Sequence, residues 1–295
     1  MDLHAAKDID KLSFDILKAS KSFDIYPTPV DQIVDYSDLI INNKVSLKSI
    51  HQGYLSRTTA ALFKAVSKVR GLFDRSIKTI YLDQDLSNTR KNFVKLHEVG
   101  HGVIPWQMNT YNVIEDDDDS LSHHTIEEFE REANYFASLT LFQHDRFKDQ
   151  LLKLNLGIES AMYLSKLFGA SIHATLRRYV ECSSKRCALI VLEGGLKAGS
   201  DSKCLKRDLF VSKKFLTAFG TLDLPEHFGL TWDFAKHYFT NRRGIVDGKQ
   251  SISTKNGVAD FEYHFFNNTY NSFVLLFPIG EKQSSRTKII LSESR

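Results

Sequence analysis

Apolar positions recur along this chain with a helical period over roughly its first 180 residues and as short apolar runs after that, and the change of texture divides it. Leu12 to Lys21 carries Leu12, Phe14, Ile16 and Leu17 and predicts a first helix. Tyr26-Pro27-Thr28-Pro29 breaks it, and Pro29 is placed to open a short second helix through Val30, Ile33 and Val34. Leu39–Ile41 and Val45–Ile50 read as short strands around an Asn42-Asn43 turn. Arg57 to Val69 reads as a helix ended by Gly71, and Ile77 to Leu82 as a strand. A helix capped by Ser87 or Asn88 follows, ending at Gly102 or by Pro105. Phe129, Ala133, Phe136 and Ala137 then recur at helical spacing behind Thr125-x-x-Glu128, the spacing of a capping box. Ala161 to Tyr179 reads as helix, Gly169 turn, helix. After Cys182 the apolar runs Ala188–Glu193, Leu209–Val211 and Ser272–Phe277 are bounded by turn-forming residues and predict strands. The expected class is α+β: residues 1–150 as one domain, 151–182 as a helix-turn-helix-like segment, and 183–295 as a small α+β domain.

Two polar intrusions in the helical part carry the chemistry. In Lys95-Leu96-His97-Glu98-Val99-Gly100-His101, His97 and His101 stand one turn apart on one helix face, so both imidazoles can reach one metal, with Glu98 beside them as a base. Neutral imidazoles suit Zn²⁺, and a catalytic zinc site takes three protein ligands. The third is expected on the Thr125–Ala137 helix. Glu130 lies in line with Ala133, Asn134 and Ala137, whereas Glu127, Glu128, Arg131 and Glu132 mostly face away. An inward carboxylate must be paired, hydrogen-bonded or metal-bound. Glu132, His123 and His124 are the competing third ligands, and Asn134 is placed to orient the carboxylate or a histidine from behind.

The run Arg90-x-x-Phe-x-x-x-His97-Glu98-x-Gly100-His101, then Glu130-x-Glu132-Ala133-Asn134-x-Phe136-Ala137 and Asp145-Arg146-Phe147, resembles the ImmA/IrrE metallopeptidases. Tyr26-Pro27-x-Pro29-Val30 and Phe168-Gly169-Ala170-Ser171-x-x-Ala174-Thr175-x-x-Arg178 extend the resemblance over roughly the first 180 residues. It implies a zincin-like, gluzincin-type core with His97, His101 and Glu130 as zinc ligands and Glu98 as base. It also implies a cytoplasmic enzyme whose protein substrate is a helix-turn-helix repressor of a phage, mobile-element or stress-response circuit. Two positions depart from the pattern: Gln143 replaces a usual proline, and Pro105-Trp106 interrupt a helix that many members continue.

Composition adds limits. No uncharged apolar stretch approaches a membrane span, and Met1 to Asp8 lacks the basic and apolar runs of a signal peptide, so a cytoplasmic protein is expected, with no membrane partner. Three cysteines cannot all pair, which fits a reducing compartment, and Cys182-x-x-x-x-Cys187 has no accompanying ligand pattern for a second metal. Residues 1–182 carry 22 basic and 25 acidic side chains, net −3, and residues 183–295 carry 17 and 11, net +6. These scattered charges favour a solvated surface over a nucleic-acid face. Direct DNA contact through Arg177 and Arg178 of the helix-turn-helix is the less favoured reading of that segment, and packing the more favoured. The acidic run Glu115 to Asp119 is read as a solvated loop between the two site helices. The strand Ile77–Leu82 is expected to offer its edge to an extended substrate. Tyr111, His123, His124 and His173 have chemistry suited to stabilising an oxyanion, with no spacing to select among them. A non-proteolytic zinc protein that sequesters a repressor or contacts DNA is the alternative to the enzyme.

Overall fold

The computed structural model describes residues 5–42, 71–75, 77–110, 122–196, 202–240 and 244–282. The predicted strand Val45–Ile50, the helix Arg57–Val69, Tyr111 and the acidic run at 115–119 lie outside them. The described residues are α+β, as expected. Two compact units divide the chain: residues 1–147 with 165–171, and residues 148–164 with 172–295. The 151–182 segment is thus shared between the two.

In the first unit, α1 (Ala6–Ala19) buries Ile9, Ser13, Ile16 and Leu17, the i, i+4, i+7, i+8 stripe of an amphipathic helix. Pro29 precedes α2 (Val30–Tyr36), whose Val30, Ile33 and Val34 are buried. A three-stranded sheet follows in the order β1 (Ile40–Asn42), β3 (Thr79–Leu82), β2 (Gly71–Asp74), with β1 parallel and β2 antiparallel to β3. This corrects one expectation. The strand read at Ile77–Leu82 is the middle one and is paired on both sides along Thr79–Leu82, so it has no edge to offer a substrate there. Among the described residues, the outer edges of this sheet belong to β1 and β2.

Helix α3 (Asn88–Val103) begins after Ser87 and ends at the extended Ile104, the conformation a residue before proline prefers. From Leu96 to His101 every residue is buried, so this turn is enclosed on all sides. Helix α4 (His123–Leu141) is capped by Ser122, whose hydroxyl accepts from the Thr125 amide at 3.2 Å. The cap is therefore one turn earlier than the Thr125–Glu128 spacing suggested, because Thr125 is already inside the first turn. The two helices cross at Gly100, where a Cβ would lie 3.2 Å from Ala133 Cα and 3.3 Å from Phe136 Cδ1. A glycine there lets the helices approach closely.

Several motif segments prove to be scaffold. Tyr26, Phe142 and Phe147 pack around the buried Phe168, with ring centroids 5.2, 6.0 and 5.4 Å from it, and Asn92 Nδ2 donates to Gly169 O at 3.0 Å. Gln143, which follows α4 with φ of 49°, is fully buried. Its Oε1 accepts from the Asp24 amide at 2.8 Å, and its Nε2 donates to Ile25 O at 2.7 Å and Thr28 Oγ1 at 3.0 Å. Proline could make none of those side-chain bonds, so Gln143 clamps the segment that leads into α2.

Helix α5 (Asp145–Leu151) crosses the division between units, as does α6 (Ile158–Phe168). Gly169, with φ of +67°, makes the turn from α6 to α7 (Ile172–Cys182). The second unit holds β4 (Ala188–Leu196), β5 (Lys203–Val211), α8 (Lys213–Phe219), β6 (His227–Phe228), α9 (Asp233–Phe239), β7 (Ile245–Thr254), β8 (Gly257–Asn267) and β9 (Ser272–Pro278). Its six strands form one antiparallel sheet in the order β6-β5-β4-β9-β8-β7. Ala188, Ile190, Leu192, Val274 and Leu276 face a core shared with Phe215 of α8 and Phe234 of α9, while α7 packs on β4 and β5. β9 is buried along its whole length, which explains why it reads as a continuous apolar run rather than an alternating one. Strands β7 and β8, joined through Lys255-Asn256, and helices α8 and α9 were not anticipated.

Candidate metal centre

The enclosed turn of α3 and the third turn of α4 meet at one point. His97 Nε2 and His101 Nε2 are 3.1 Å apart, and Glu130 brings one carboxylate oxygen to 3.4 Å from the first and the other to 3.3 Å from the second. The two rings are edge-on at 82°, with centroids 4.7 Å apart. One ligand atom from each of the three residues lies within 4.8 Å of the others, the only such group of three or more potential metal-binding side chains among the described residues. The histidines are nearly inaccessible, and the Glu130 side chain is 24% exposed, so the group has one more open side.

The donor set fits a metal on chemical grounds. Two imidazole nitrogens directed at each other in a buried site repel unless a cation or a proton lies between them, and a carboxylate alongside calls for positive charge. The electrostatics agree. Burial alone would lower the His101 pKa, but Glu130, Glu98 and the bond to Gln107 together raise it. Burial alone would raise Glu130, but the two histidines hold it well below the ordinary carboxylate range. Two imidazoles with one carboxylate form the ligand set of many catalytic zinc sites.

Glu98 is buried beside this group and interacts electrostatically with all three of its members. Desolvation raises its pKa, opposed by His97, His101 and Arg75 and reinforced by Glu130. A carboxylate raised in this way is a stronger base than a solvated one.

Glu132 is not part of the trio, yet it does not face away either. It is 4% exposed, and its Oε2 accepts from Trp106 Nε1 at 2.8 Å and from Gln107 Nε2 at 2.7 Å. Residues 105–110 are helical, and Pro105 opens this turn after the break at Ile104. The turn folds Gln107 back so that its Oε1 lies 2.8 Å from His101 Nδ1. Sequence reasoning missed Trp106 and Gln107 because they lie beyond a helix break, where periodicity no longer says which way a side chain points. The proline at a new helix start was the available signal.

Asn134 does not reach the centre. It is exposed, and its amide donates to the backbone carbonyl of Glu130 at 2.7 Å rather than to the carboxylate. An i−4 side-chain bond to the helix backbone turns the group along the helix surface, away from the crossing with α3. His124 is exposed in the first turn of α4, and His173 stands in the second unit 3.9 Å from Asp208 and against Phe273.

Residues 57–179 match the family described as the IrrE N-terminal-like domain, a peptidase family. That stretch includes His97, Glu98, His101 and Glu130. Eleven solved chains also match, among them a Mycobacterium tuberculosis transcriptional regulator at 12% identity and a TM-score of 0.50. The alignment covers 91% of this chain and 75% of that one, a likeness of fold. No curated protein matches.

Proposed function

From the ImmA/IrrE metallopeptidase-like domain that this chain carries, we infer that the protein is a zinc-dependent endopeptidase, with His97, His101 and Glu130 as the ligands and Glu98 as the general base. The observation that carries this reading is the convergence of the three donors with a buried carboxylate of raised pKa beside them. A metal held only for structure has no use for that fourth group. Zinc, when bound there, supplies a Lewis acid for the scissile carbonyl and lowers the pKa of water. Glu98 accepts the proton of the attacking water and returns it to the departing amine, so that neither a strong base nor a strong acid is released into solution. His97 and Glu98 are buried, which keeps bulk water from their side of the site.

The substrate proposed is a helix-turn-helix repressor, by the resemblance of the two site helices to a family that acts on such proteins. A cytoplasmic location is proposed with it. It agrees with three unpaired cysteines and with the lack, among the described residues, of any helix long and apolar enough to cross a membrane. The test is incubation of the purified protein with the repressor encoded beside its gene, with and without a chelator. A defined fragment that appears only without chelator is the expected result. A stable complex that yields no fragment would replace cleavage by sequestration.

A further inference from the structure

The Gln107 amide is surrounded in a way that leaves it one orientation. Its nitrogen end faces two groups that can only accept, the Glu132 carboxylate at 2.7 Å and the Phe129 carbonyl at 3.2 Å. Turning the amide over would set its oxygen against both. The oxygen end therefore faces His101, 2.8 Å from Nδ1, and an acceptor at that distance requires Nδ1 to carry the proton. In a neutral imidazole the proton on Nδ1 leaves Nε2 bare, and Nε2 is the atom that meets His97 and Glu130. Glu132 is itself tied down by Trp106. Gln107 is fully buried and Glu132 nearly so, which shields this chain of bonds from competing water. His97 has no such device among the described residues, where its buried Nδ1 finds no partner.

We propose that Gln107, oriented by Glu132 and Trp106, is the positioning residue that sets the tautomer of His101 and so presents an unprotonated Nε2 to the metal. The Nδ1 proton follows from the 2.8 Å contact with Gln107, shorter than the 3.3 Å between Nε2 and the Glu130 carboxylate that competes for it, and its consequence for zinc rests on the reading above. The helix break at Ile104-Pro105 is the structural means, since a continued α3 would carry residue 107 past the site rather than back beside His101.

The experiment has two readouts on selectively ¹⁵N-histidine-labelled protein. The first is the tautomer of His101, read from its ring nitrogen shifts in metal-free protein at a pH high enough for the ring to be neutral. The second is zinc affinity by chelator competition. In the wild type we expect the proton on Nδ1. In Gln107→Leu, which keeps bulk but removes the acceptor, the Nε2-protonated form should appear and zinc affinity should fall by about 10–100-fold. The exchanged pair, Gln107→Glu with Glu132→Gln, keeps one carboxylate and one amide in contact and leaves an acceptor facing Nδ1, though it gives up the bond to the Phe129 carbonyl. It should return the Nδ1-protonated form and recover part of the zinc affinity. A wild-type His101 with its proton on Nε2, or a Gln107→Leu protein unchanged in both readouts, overturns the proposal. If Gln107→Leu does not fold, the exchanged pair decides by itself: an Nε2 proton there overturns the proposal too. Failure of the zinc reading looks different, as a wild type that retains no zinc while its His101 tautomer is as stated.

Discussion

Replacing Gly100 by alanine tests the geometry of the site without touching a ligand. In an unconstrained helix interior the change should stabilise, since alanine exceeds glycine in helix propensity by about 1 kcal/mol. At this crossing the added Cβ would sit 3.2 Å from Ala133 Cα and 3.3 Å from Phe136 Cδ1. The first of these is backbone and cannot rotate aside, so α3 and α4 must separate by a few tenths of an ångström. Overpacking of that kind costs about 1–3 kcal/mol, so the metal-free protein should change by between about 0 and 2 kcal/mol of net destabilisation. The larger effect should be on metal. His97 and His101 are on one helix and Glu130 on the other, and zinc sites hold their ligand distances to within about 0.2 Å. A separation of a few tenths of an ångström exceeds that, and a tenfold loss of zinc affinity, about 1.4 kcal/mol, is expected. Chemical denaturation of the metal-free protein and chelator competition of the loaded protein measure the two effects. A variant about 1 kcal/mol more stable than wild type with unaltered zinc affinity would refute the claim that Gly100 sets the helix spacing at the metal.

Glu98→Gln keeps size and polarity but cannot accept a proton, so cleavage should fall by about 10²–10⁴-fold while zinc per chain stays unchanged; near-normal cleavage would remove Glu98 from the mechanism. Glu130→Ala should lose zinc on dialysis, whereas Asn134→Ala, altering an exposed side chain bonded to its own helix, should keep it; the reverse order of zinc contents would count against the ligand assignment. A pH-dependent contribution is expected in the second unit. Burial alone would raise the Glu281 pKa, but bonds from the Arg186 guanidinium and amide, at 2.6 to 2.9 Å, hold it lowered. A depressed acid stabilises the fold above its unfolded pKa and loses that contribution as pH falls through its folded one. The stability gap between wild type and Glu281→Gln should therefore be present at neutral pH and narrow progressively as the pH falls below the ordinary carboxylate range. A gap in urea melts that stays the same size from neutral pH down through the acid range would show that the ion pair is not its source.

The site helices were legible in the sequence because each chemical demand there is local. His97 and His101 are one turn apart on any helix, and Glu130 shares its helix face with Ala133 and Ala137. The α+β class, the strands β4 and β9, and the turn at Gly169 were legible for the same reason, since periodicity, apolar runs and a glycine with positive φ are short-range signals. What remained hidden depends on partners distant in the chain. The middle position of β3 follows from pairing on both sides, which no local pattern of Ile77–Leu82 contains. Glu132 reads as an outward acid until the turn at 105–110 folds Trp106 and Gln107 onto it, and Asn134 reads as inward until its amide settles on the Glu130 carbonyl. Gln143 likewise reads as a departure from a motif until residues 24 to 28 close around it. Sequence alone picked out the candidate metal-binding residues and the helices on which they stand. Tertiary structure decided how closely those helices cross, which buried polar groups brace them and which strand edges stay open, because a buried hydrogen bond or a close approach is satisfied only by whatever the rest of the chain brings there.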